Sequence, residues 1–153
     1  MTLKRVLVVH PYGLGDFLFV TPVLRALRLI PSIEKVDLLL GSRTSEVARE
    51  NPHVDEIFVA DKGRYQKQGR MQTFREVAAL GRELRSRHYD LMLDYSLRSE
   101  YAVLSRLFLG IPHTAGFNYK RRGFFHTVQV PLPAGFSGRS VVDIYSGLAE
   151  RAG

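Results

Sequence analysis

Short apolar runs alternate with longer stretches of mixed polarity along the chain. The run Arg5–His10 is continuous, rich in valine and followed by Pro11, which predicts a fully buried strand. Further strands are predicted at 36–40, 56–60 and 89–94, with two shorter ones at 113–117 and 127–130.

Amphipathic helices are predicted between these strands. They lie near 72–87, near 97–109 and at the end of the chain. The apolar face near 72–87 consists of Phe74, Val77, Ala78, Gly81 and Leu84. The first helix is predicted to start near Asp16 and to bend at 21–22, although a start at Thr21, with Pro22 in the first turn, is the alternative. This alternation predicts an α/β fold with a mostly parallel sheet flanked by helices.

The composition is that of one folded domain, and it excludes several kinds of functional site. The chain has 153 residues and a formal net charge of +7. It contains no cysteine, which excludes disulfides, thiol nucleophiles and cysteine-based zinc sites. The five histidines show no metal-ligand spacing, and no cofactor is expected. No apolar run is long enough to span a bilayer, and a cytoplasmic location is expected.

A glycine-containing loop follows the first predicted strand. Ligands of open α/β sheets bind at the carboxyl ends of the strands, and Gly13 and Gly15 would let this loop turn tightly beside one. The loop departs from the dinucleotide and P-loop fingerprints, because Leu18 stands at the third glycine position and no Gly-Lys-Ser/Thr follows. Asp16 has two interpretations: a helix N-cap, or a general base that takes a proton from an alcohol.

Two further polar residues end predicted strands at the same edge. We interpret His10 as a hydrogen-bonded structural histidine and Asp94 as a cap of the next helix.

Several motifs occur together in an order that is specific in combination. Leu-Gly-Asp at 14–16 is followed by Thr-Pro at 21–22 and Leu-Arg-Ala-Leu at 24–27. Later come Tyr-Asp-Leu-Met-Leu-Asp at 89–94, Gly-Phe before a basic run at 116–122, and Val-Val-Asp-Ile-Tyr at 141–145. Across nearly the whole chain this set resembles the N-terminal half of the lipopolysaccharide heptosyltransferases, glycosyltransferase family 9. The chain departs from the family pattern at Gly13, where Ser or Arg is usual, and at Ser140, where His is usual.

The resemblance implies a GT-B architecture, in which two Rossmann-like domains face each other across a cleft. Residues 1–153 would form the N-terminal, acceptor-binding domain, while the C-terminal nucleotide-sugar domain is absent from this chain. The implied reaction is an inverting transfer from a nucleotide sugar such as ADP-heptose to a lipopolysaccharide core acceptor. In it Asp16 is the general base and no metal takes part. The isolated domain is expected to be inactive without its C-terminal half.

Basic residues are concentrated in two segments. Residues 62–88 carry eight Lys or Arg against two acids, and Lys120, Arg121 and Arg122 lie together in a predicted loop. A solvated surface is one interpretation; the other is contact with an anionic lipid-linked sugar, or peripheral contact with the anionic inner membrane. We expect Arg98, Lys120 and Arg121 to bind the acceptor, with Gly13 and Gly15 shaping the loop beside it. Nucleic acid is disfavoured as a partner, because no helix-turn-helix, RRM or zinc-finger signature is present.

A second hypothesis is a stand-alone basic binding module that keeps the Rossmann-like core without catalysis. Its ligand would be an anionic glycolipid or a nucleic acid. One half of a two-domain cleft cannot hold both substrates, so a reading frame that continues past residue 153 would favour the enzyme, and a stop there would favour the module.

Overall fold

Six parallel strands form a sheet at the centre of the molecule. The computed structural model describes residues 3–133 and 135–153. The strand order is β3-β2-β1-β4-β5-β6, and every neighbouring pair is parallel. This is the Rossmann arrangement, so the predicted fold class is confirmed. The bounds are β1 (Arg5–His10), β2 (Lys35–Leu40), β3 (Glu56–Val59), β4 (Leu91–Asp94), β5 (His113–Asn118) and β6 (Val128–Pro131).

Helices cover both faces of the sheet. A π-helical segment, Ser105–Leu109, continues the sixth helix and ends at Gly110, whose left-handed backbone (φ 67°) suits glycine. In the described residues the α-helices are α1 (Leu14–Leu18), α2 (Thr21–Arg28), α3 (Ser42–Arg49), α4 (Lys62–Lys67), α5 (Arg70–Ser86), α6 (Ser99–Leu104) and α7 (Val141–Ala152).

The apolar core lies on both sides of the sheet, because consecutive residues of a strand point to opposite faces. Val6 and Val8 of β1 belong to the cluster that includes residues of α1, α2, α3 and α7. Leu7 and Val9 belong to the cluster that includes residues of α5 and α6. Burial on two faces explains why β1 is a continuous apolar run rather than an alternating one.

The first helical region has the predicted bend but not the predicted cap. The N-cap of α1 is Gly13 and the helix begins at Leu14, so Asp16 lies inside the first turn. Phe19 and Val20 separate α1 from α2, and Pro22 stands in the first turn of α2, where a missing amide hydrogen costs no intrahelical bond.

Two helices lie outside the hydrophobic pattern, and a third departs from its predicted burial. α3 buries the small side chains of Thr44, Ser45 and Ala48, and α4 buries none, so neither gives an apolar periodicity. α5 is predicted correctly, but its expected apolar face is only partly buried. Leu84 is buried, whereas Phe74 is 69% exposed.

Among the helices of the described ranges, none combines the length and apolar character that crossing a bilayer requires.

Candidate active site at the carboxyl edge of the sheet

The order of the strands reverses between β1 and β4, and polar residues gather where these two strands end. Val9 pairs with Asp94 across the two strands, so His10 and Asp94 end side by side. In doubly wound sheets this reversal point opens a crevice between the two following loops, and ligands bind there. The segment after β1 and the turn after β4 therefore form the candidate site.

Asp16 is the exposed carboxylate of the segment after β1. It is the third residue of α1, whose N-cap Gly13 makes no side-chain capping bond. In the described part of the chain, its side chain forms no hydrogen bond and no ion pair. An exposed carboxylate without a protein partner is free to accept a proton from a ligand hydroxyl.

Gly13 and Gly15 lie on the same segment, but the protein backbone does not require glycine at either position. Neither has a positive φ, and a Cβ at either would meet no atom within 4 Å. The positive φ that would make glycine necessary in a tight turn is therefore not observed at either position. The absence of a side chain leaves space beside the backbone at both positions.

His10 lies fully buried at the end of β1, within electrostatic reach of Asp16. Its ring makes edge contacts with the rings of Tyr12, Phe17 and Tyr145, at centroid distances of 5.7, 6.1 and 6.2 Å. Neither ring nitrogen has a hydrogen-bond partner, so the interpretation as a hydrogen-bonded histidine is wrong. Burial lowers the pKa of His10 to about 4, although the charge of Asp16 acts in the opposite direction.

Tyr12 connects the segment after β1 to the turn after β4 and to the helix α3. Its hydroxyl donates a hydrogen bond to the carbonyl oxygen of Ser96 in the turn after β4. Its own carbonyl oxygen accepts a hydrogen bond of 2.9 Å from the hydroxyl of Thr44 in α3. Burial raises the pKa of Tyr12, and the charges of Asp94 and Asp16 act in the same direction, which places both carboxylates within electrostatic reach.

Asp94 is buried and faces a histidine instead of capping α6, whose N-cap is Arg98. One carboxylate oxygen accepts a 2.8 Å hydrogen bond from the amide of Ser96, and the other lies 3.5 Å from Nε2 of His126. Burial raises the pKa of Asp94 to about 7 and lowers that of His126 to about 4. A Cβ on Gly116 of β5 would lie 2.1 Å from Nε2 of His126, so the ring can cross β5 only over glycine.

A cavity of about 430 Å³ opens between the loops that follow β1, β4 and β5. Two arginines, Arg98 and Arg122, and two tyrosines, Tyr12 and Tyr119, contribute to its wall. Glu100 also lines it and forms an ion pair of 2.6 Å with Arg98. Cations and aromatic faces together suit an anionic sugar, since arginine binds phosphate or carboxylate oxygens in pairs.

The structure brings only some of the predicted site residues together. Arg98 lines the cavity, whereas Asp16, Lys120 and Arg121 do not. Lys120 instead lies over the ring of Tyr119, at 5.1 Å from its centroid, and Arg121 is exposed.

Of the residues that line the cavity, only Arg98 belongs to the predicted set, and Tyr12, Tyr119 and Arg122 are among those outside it. Arg122 belongs to the basic run already noted in the sequence, and its position at the end of that run gave no reason to prefer it. Tyr12 and Tyr119 flank the expected loops, and only their contacts in the fold show that they face the same space.

No protein-family model matches the chain. Among curated proteins, it is 30% identical over 93 residues to lipopolysaccharide heptosyltransferase 3 of Escherichia coli K12. That alignment covers 60% of this chain and 26% of the relative, so the chain matches about a quarter of that protein's length.

Solved structures match the fold over essentially the whole chain. A glycosyl transferase family 9 protein from Veillonella parvula superposes with a TM-score of 0.78 and 24% identity, covering 100% of this chain and 42% of that one. E. coli heptosyltransferase WaaC with ADP-2-deoxy-2-fluoro heptose gives a TM-score of 0.79 and 20% identity, covering 97% of this chain and 48% of that one. These structures confirm the fold, and together with the curated relative they confirm the resemblance to glycosyltransferase family 9. The chain spans less than half the length of either solved protein.

Proposed function

We propose that this chain is the acceptor-binding domain of a glycosyltransferase of family 9, and that Asp16 is the general base of its reaction. The domain corresponds to the N-terminal half of a GT-B enzyme. A second Rossmann-like domain, outside this chain, completes the cleft. Support comes from the coverage of the solved relatives, which match this chain over 42–48% of their own length.

The observation that carries the proposal is the position of Asp16. Its carboxylate is exposed, has no protein partner in the described residues, and follows the strand at which the sheet order reverses. The neighbouring acid, Asp94, is buried against His126 and hydrogen-bonded to Ser96. Of these two carboxylates, only that of Asp16 can reach a ligand hydroxyl without a rearrangement of the protein.

In the proposed reaction, the Asp16 carboxylate removes the proton of an acceptor hydroxyl as its oxygen attacks the anomeric carbon of the donor. A new carbon–oxygen bond forms while the bond from the anomeric carbon to the nucleotide diphosphate breaks. The leaving diphosphate takes the bonding electron pair. Because the attack occurs opposite to the leaving group, the configuration at the anomeric carbon inverts.

A nucleotide sugar is the donor in this proposal, because the solved relative WaaC holds an ADP-sugar analogue in one structure and ADP in another. The donor would bind in the second domain, opposite the edge that carries Asp16. The loop of this chain after β1 is a poor phosphate cradle by itself, since an exposed carboxylate there repels a diphosphate.

The cavity beside the site would hold an anionic, lipid-linked sugar acceptor. Arg98 and Arg122 supply positive charge from two different loops, and Tyr12 and Tyr119 supply aromatic faces. The ion pair with Glu100 holds Arg98 exposed at the cavity wall until an anionic ligand competes for it. Lys120 and Arg121 lie outside the cavity and would contact more distant parts of the acceptor.

The test of this function uses the complete enzyme, comprising this chain and the remainder of its protein. Purified enzyme is supplied with an ADP-sugar and a lipid-linked sugar acceptor, and NMR of the product gives the anomeric configuration. We expect transfer with inversion. Transfer with retention, or hydrolysis of the donor without transfer to any glycolipid, would contradict the proposal.

A further inference from the structure

The chain carries a strongly basic stretch around the strand β5 and the loop that follows it. Between residues 101 and 142 there is no aspartate or glutamate, while Arg106, Lys120, Arg121, Arg122 and Arg139 lie within that stretch. Three of these cations are consecutive, and two phenylalanines follow them in the segment Lys-Arg-Arg-Gly-Phe-Phe at 120–125. We name residues 119–126 the basic–aromatic loop.

Both phenylalanines of this loop are exposed at its surface. Phe124 is 75% exposed and Phe125 is 43% exposed, and their rings meet edge to face at 5.8 Å. Two adjacent exposed aromatic rings form a small apolar patch beside the basic residues, and apolar patches of this kind mark interaction sites. The three cations beside them form no ion pair in the described part of the chain.

The loop is a defined structure that presents these side chains in one arrangement. Lys120 and Arg121 adopt left-handed backbone conformations, with φ values of 49° and 62°. A Cβ on Gly123 would come within 2.7 Å of the backbone of Asn118, so the loop closes only over glycine. The turn that precedes Phe124 is thus a defined backbone conformation.

Hydrogen bonds within the loop and with the strands β5 and β6 hold the loop in this position. The amide of Gly123 donates to the side-chain oxygen of Asn118 at 3.4 Å, and the amide of His126 donates to the carbonyl of Gly123 at 3.0 Å. The side chain of Gln129 donates to the carbonyl of Phe124 at 3.4 Å. His126 itself is buried against Asp94, so the base of the loop is part of the core while its tip is exposed.

We propose that the basic–aromatic loop is a membrane-docking element, in which Phe124 and Phe125 enter the headgroup region of an anionic bilayer and Lys120 and Arg121 contact its phosphates. Aromatic rings favour the interface between water and lipid, and each nearby Lys or Arg strengthens attraction to an anionic surface. The partner is a lipid surface because the loop offers positive charge and exposed apolar rings together, the combination that an anionic bilayer attracts.

The position of the loop connects docking to the candidate site. The loop follows β5, the neighbour of β4, and its residues Tyr119 and Arg122 line the cavity beside Arg98. A bilayer bound at the loop tip would hold lipid-linked sugars next to that cavity. Only the idea that docking presents an acceptor to the cavity rests on the proposed function, because docking itself requires no transfer reaction.

A tryptophan reporter tests the proposal on the chain itself, which contains no tryptophan. The variant Phe124→Trp places a single indole at the loop tip, and Phe74→Trp places one on α5, where the side chain is similarly exposed at 69%. Each is mixed with vesicles of phosphatidylcholine and phosphatidylglycerol in equal parts, or of phosphatidylcholine alone. We expect a blue shift of emission, and quenching by brominated acyl chains, for Phe124→Trp on the anionic vesicles only.

Charge variants provide the second measurement. Replacing Lys120 and Arg121 by Gln should weaken binding to the anionic vesicles about 30-fold, the loss expected for two cations at an anionic surface. Replacing Arg25 of α2 and Arg151 of α7 by Gln removes the same charge elsewhere and should change binding by less than about threefold.

Several results would overturn the docking proposal while leaving the transferase proposal untouched. No shift of Phe124→Trp on anionic vesicles would do so, as would equal shifts of both tryptophan variants or equal losses in the two charge pairs. A stronger response of Phe124→Trp to single-stranded DNA than to vesicles would reassign the loop to nucleic acid. Conversely, docking as expected in an enzyme without transfer activity would contradict only the proposed reaction.

Discussion

Nε2 of His126 lies 3.5 Å from Oδ2 of Asp94, and this buried pair joins the loop after β5 to the end of β4. Both side chains are almost completely buried, although they are far apart in the sequence. The contact exists because Gly116 has no side chain between them. It fixes the wall of the cavity that Tyr119 and Arg122 share with Arg98.

Replacing Gly116 by Ala should therefore destabilise the protein. The new Cβ would lie 2.1 Å from the His126 ring, which must move away from Asp94. We expect a loss of about 1–3 kcal/mol in the free energy of unfolding, measured by chemical denaturation. Gly81→Ala in α5 is the matched control, because a Cβ there meets no atom within 4 Å and should stabilise the helix by about 0.5–1 kcal/mol. Equal effects of the two substitutions would contradict the role of Gly116.

His10 makes the stability of the protein depend on pH. Its folded pKa of about 4 lies below the ordinary value of 6.5, so the unfolded chain binds a proton that the folded protein does not. As the pH falls through this interval, His10 lowers stability by about 1.4 kcal/mol per pH unit. Asp94 acts in the opposite direction, because burial raises its folded pKa to about 7.

The variant His10→Leu isolates this contribution. It should be more stable than the natural protein at pH 7, because two buried nitrogens without hydrogen bonds are removed. Its advantage should grow as the pH is lowered from 6.5 towards 4, as measured by denaturation at a series of pH values. An advantage that is constant with pH would show that His10 is protonated equally in the folded and unfolded states.

Tyr12 should contribute to both stability and acceptor binding. Tyr12→Phe removes the hydrogen bond to the carbonyl of Ser96, at a cost of about 0.5–1.5 kcal/mol in the free energy of unfolding. Because this bond links the two loops of the site, we expect the KM for the acceptor to rise in the complete enzyme. Tyr65→Phe is the control, since Tyr65 belongs to α4 and lies outside the cavity. A KM that rises equally in both variants would argue against the link.

Arg122 should bind the anionic part of the acceptor. Arg122→Gln keeps most of the side chain while removing the charge from the cavity wall. The loss of one charge-assisted hydrogen bond predicts a rise of about 10- to 100-fold in the KM for the acceptor in the complete enzyme. The KM for the nucleotide sugar should stay unchanged, as should both KM values in the Arg25→Gln control on α2. An acceptor KM within twofold of the natural enzyme would remove Arg122 from the acceptor site.

The sheet was predictable because burial on two faces leaves continuous apolar runs in the sequence. The helix α3 was not predictable, because the residues that it buries, Thr44, Ser45 and Ala48, are small or polar and give no hydrophobic pattern. In α5 the helical period was visible, but the period does not reveal that Phe74 remains exposed while Leu84 is buried. Periodicity records which residues share a face, whereas burial depends on what packs against that face.

Only those site residues that belong to a local sequence motif were predictable. Asp16 stands out through its loop and through the resemblance to a family. The pairing of Asp94 with His126 depends on β4 and β5 lying side by side, which no local pattern expresses. Likewise, Arg122 and not Lys120 lines the cavity because the loop turns through left-handed residues at 120 and 121.

The most direct test of the account is the turnover of the complete enzyme carrying Asp16→Asn. The amide keeps the size of the carboxylate but cannot take the proton of the acceptor hydroxyl, so kcat should fall by about 10²- to 10⁴-fold. The dissociation constant of the nucleotide sugar and the thermal stability should stay unchanged. Asp143→Asn, the same exchange at an exposed acid of α7, should leave kcat as it is. A kcat for Asp16→Asn within threefold of the natural enzyme would contradict the assignment of Asp16 as the base.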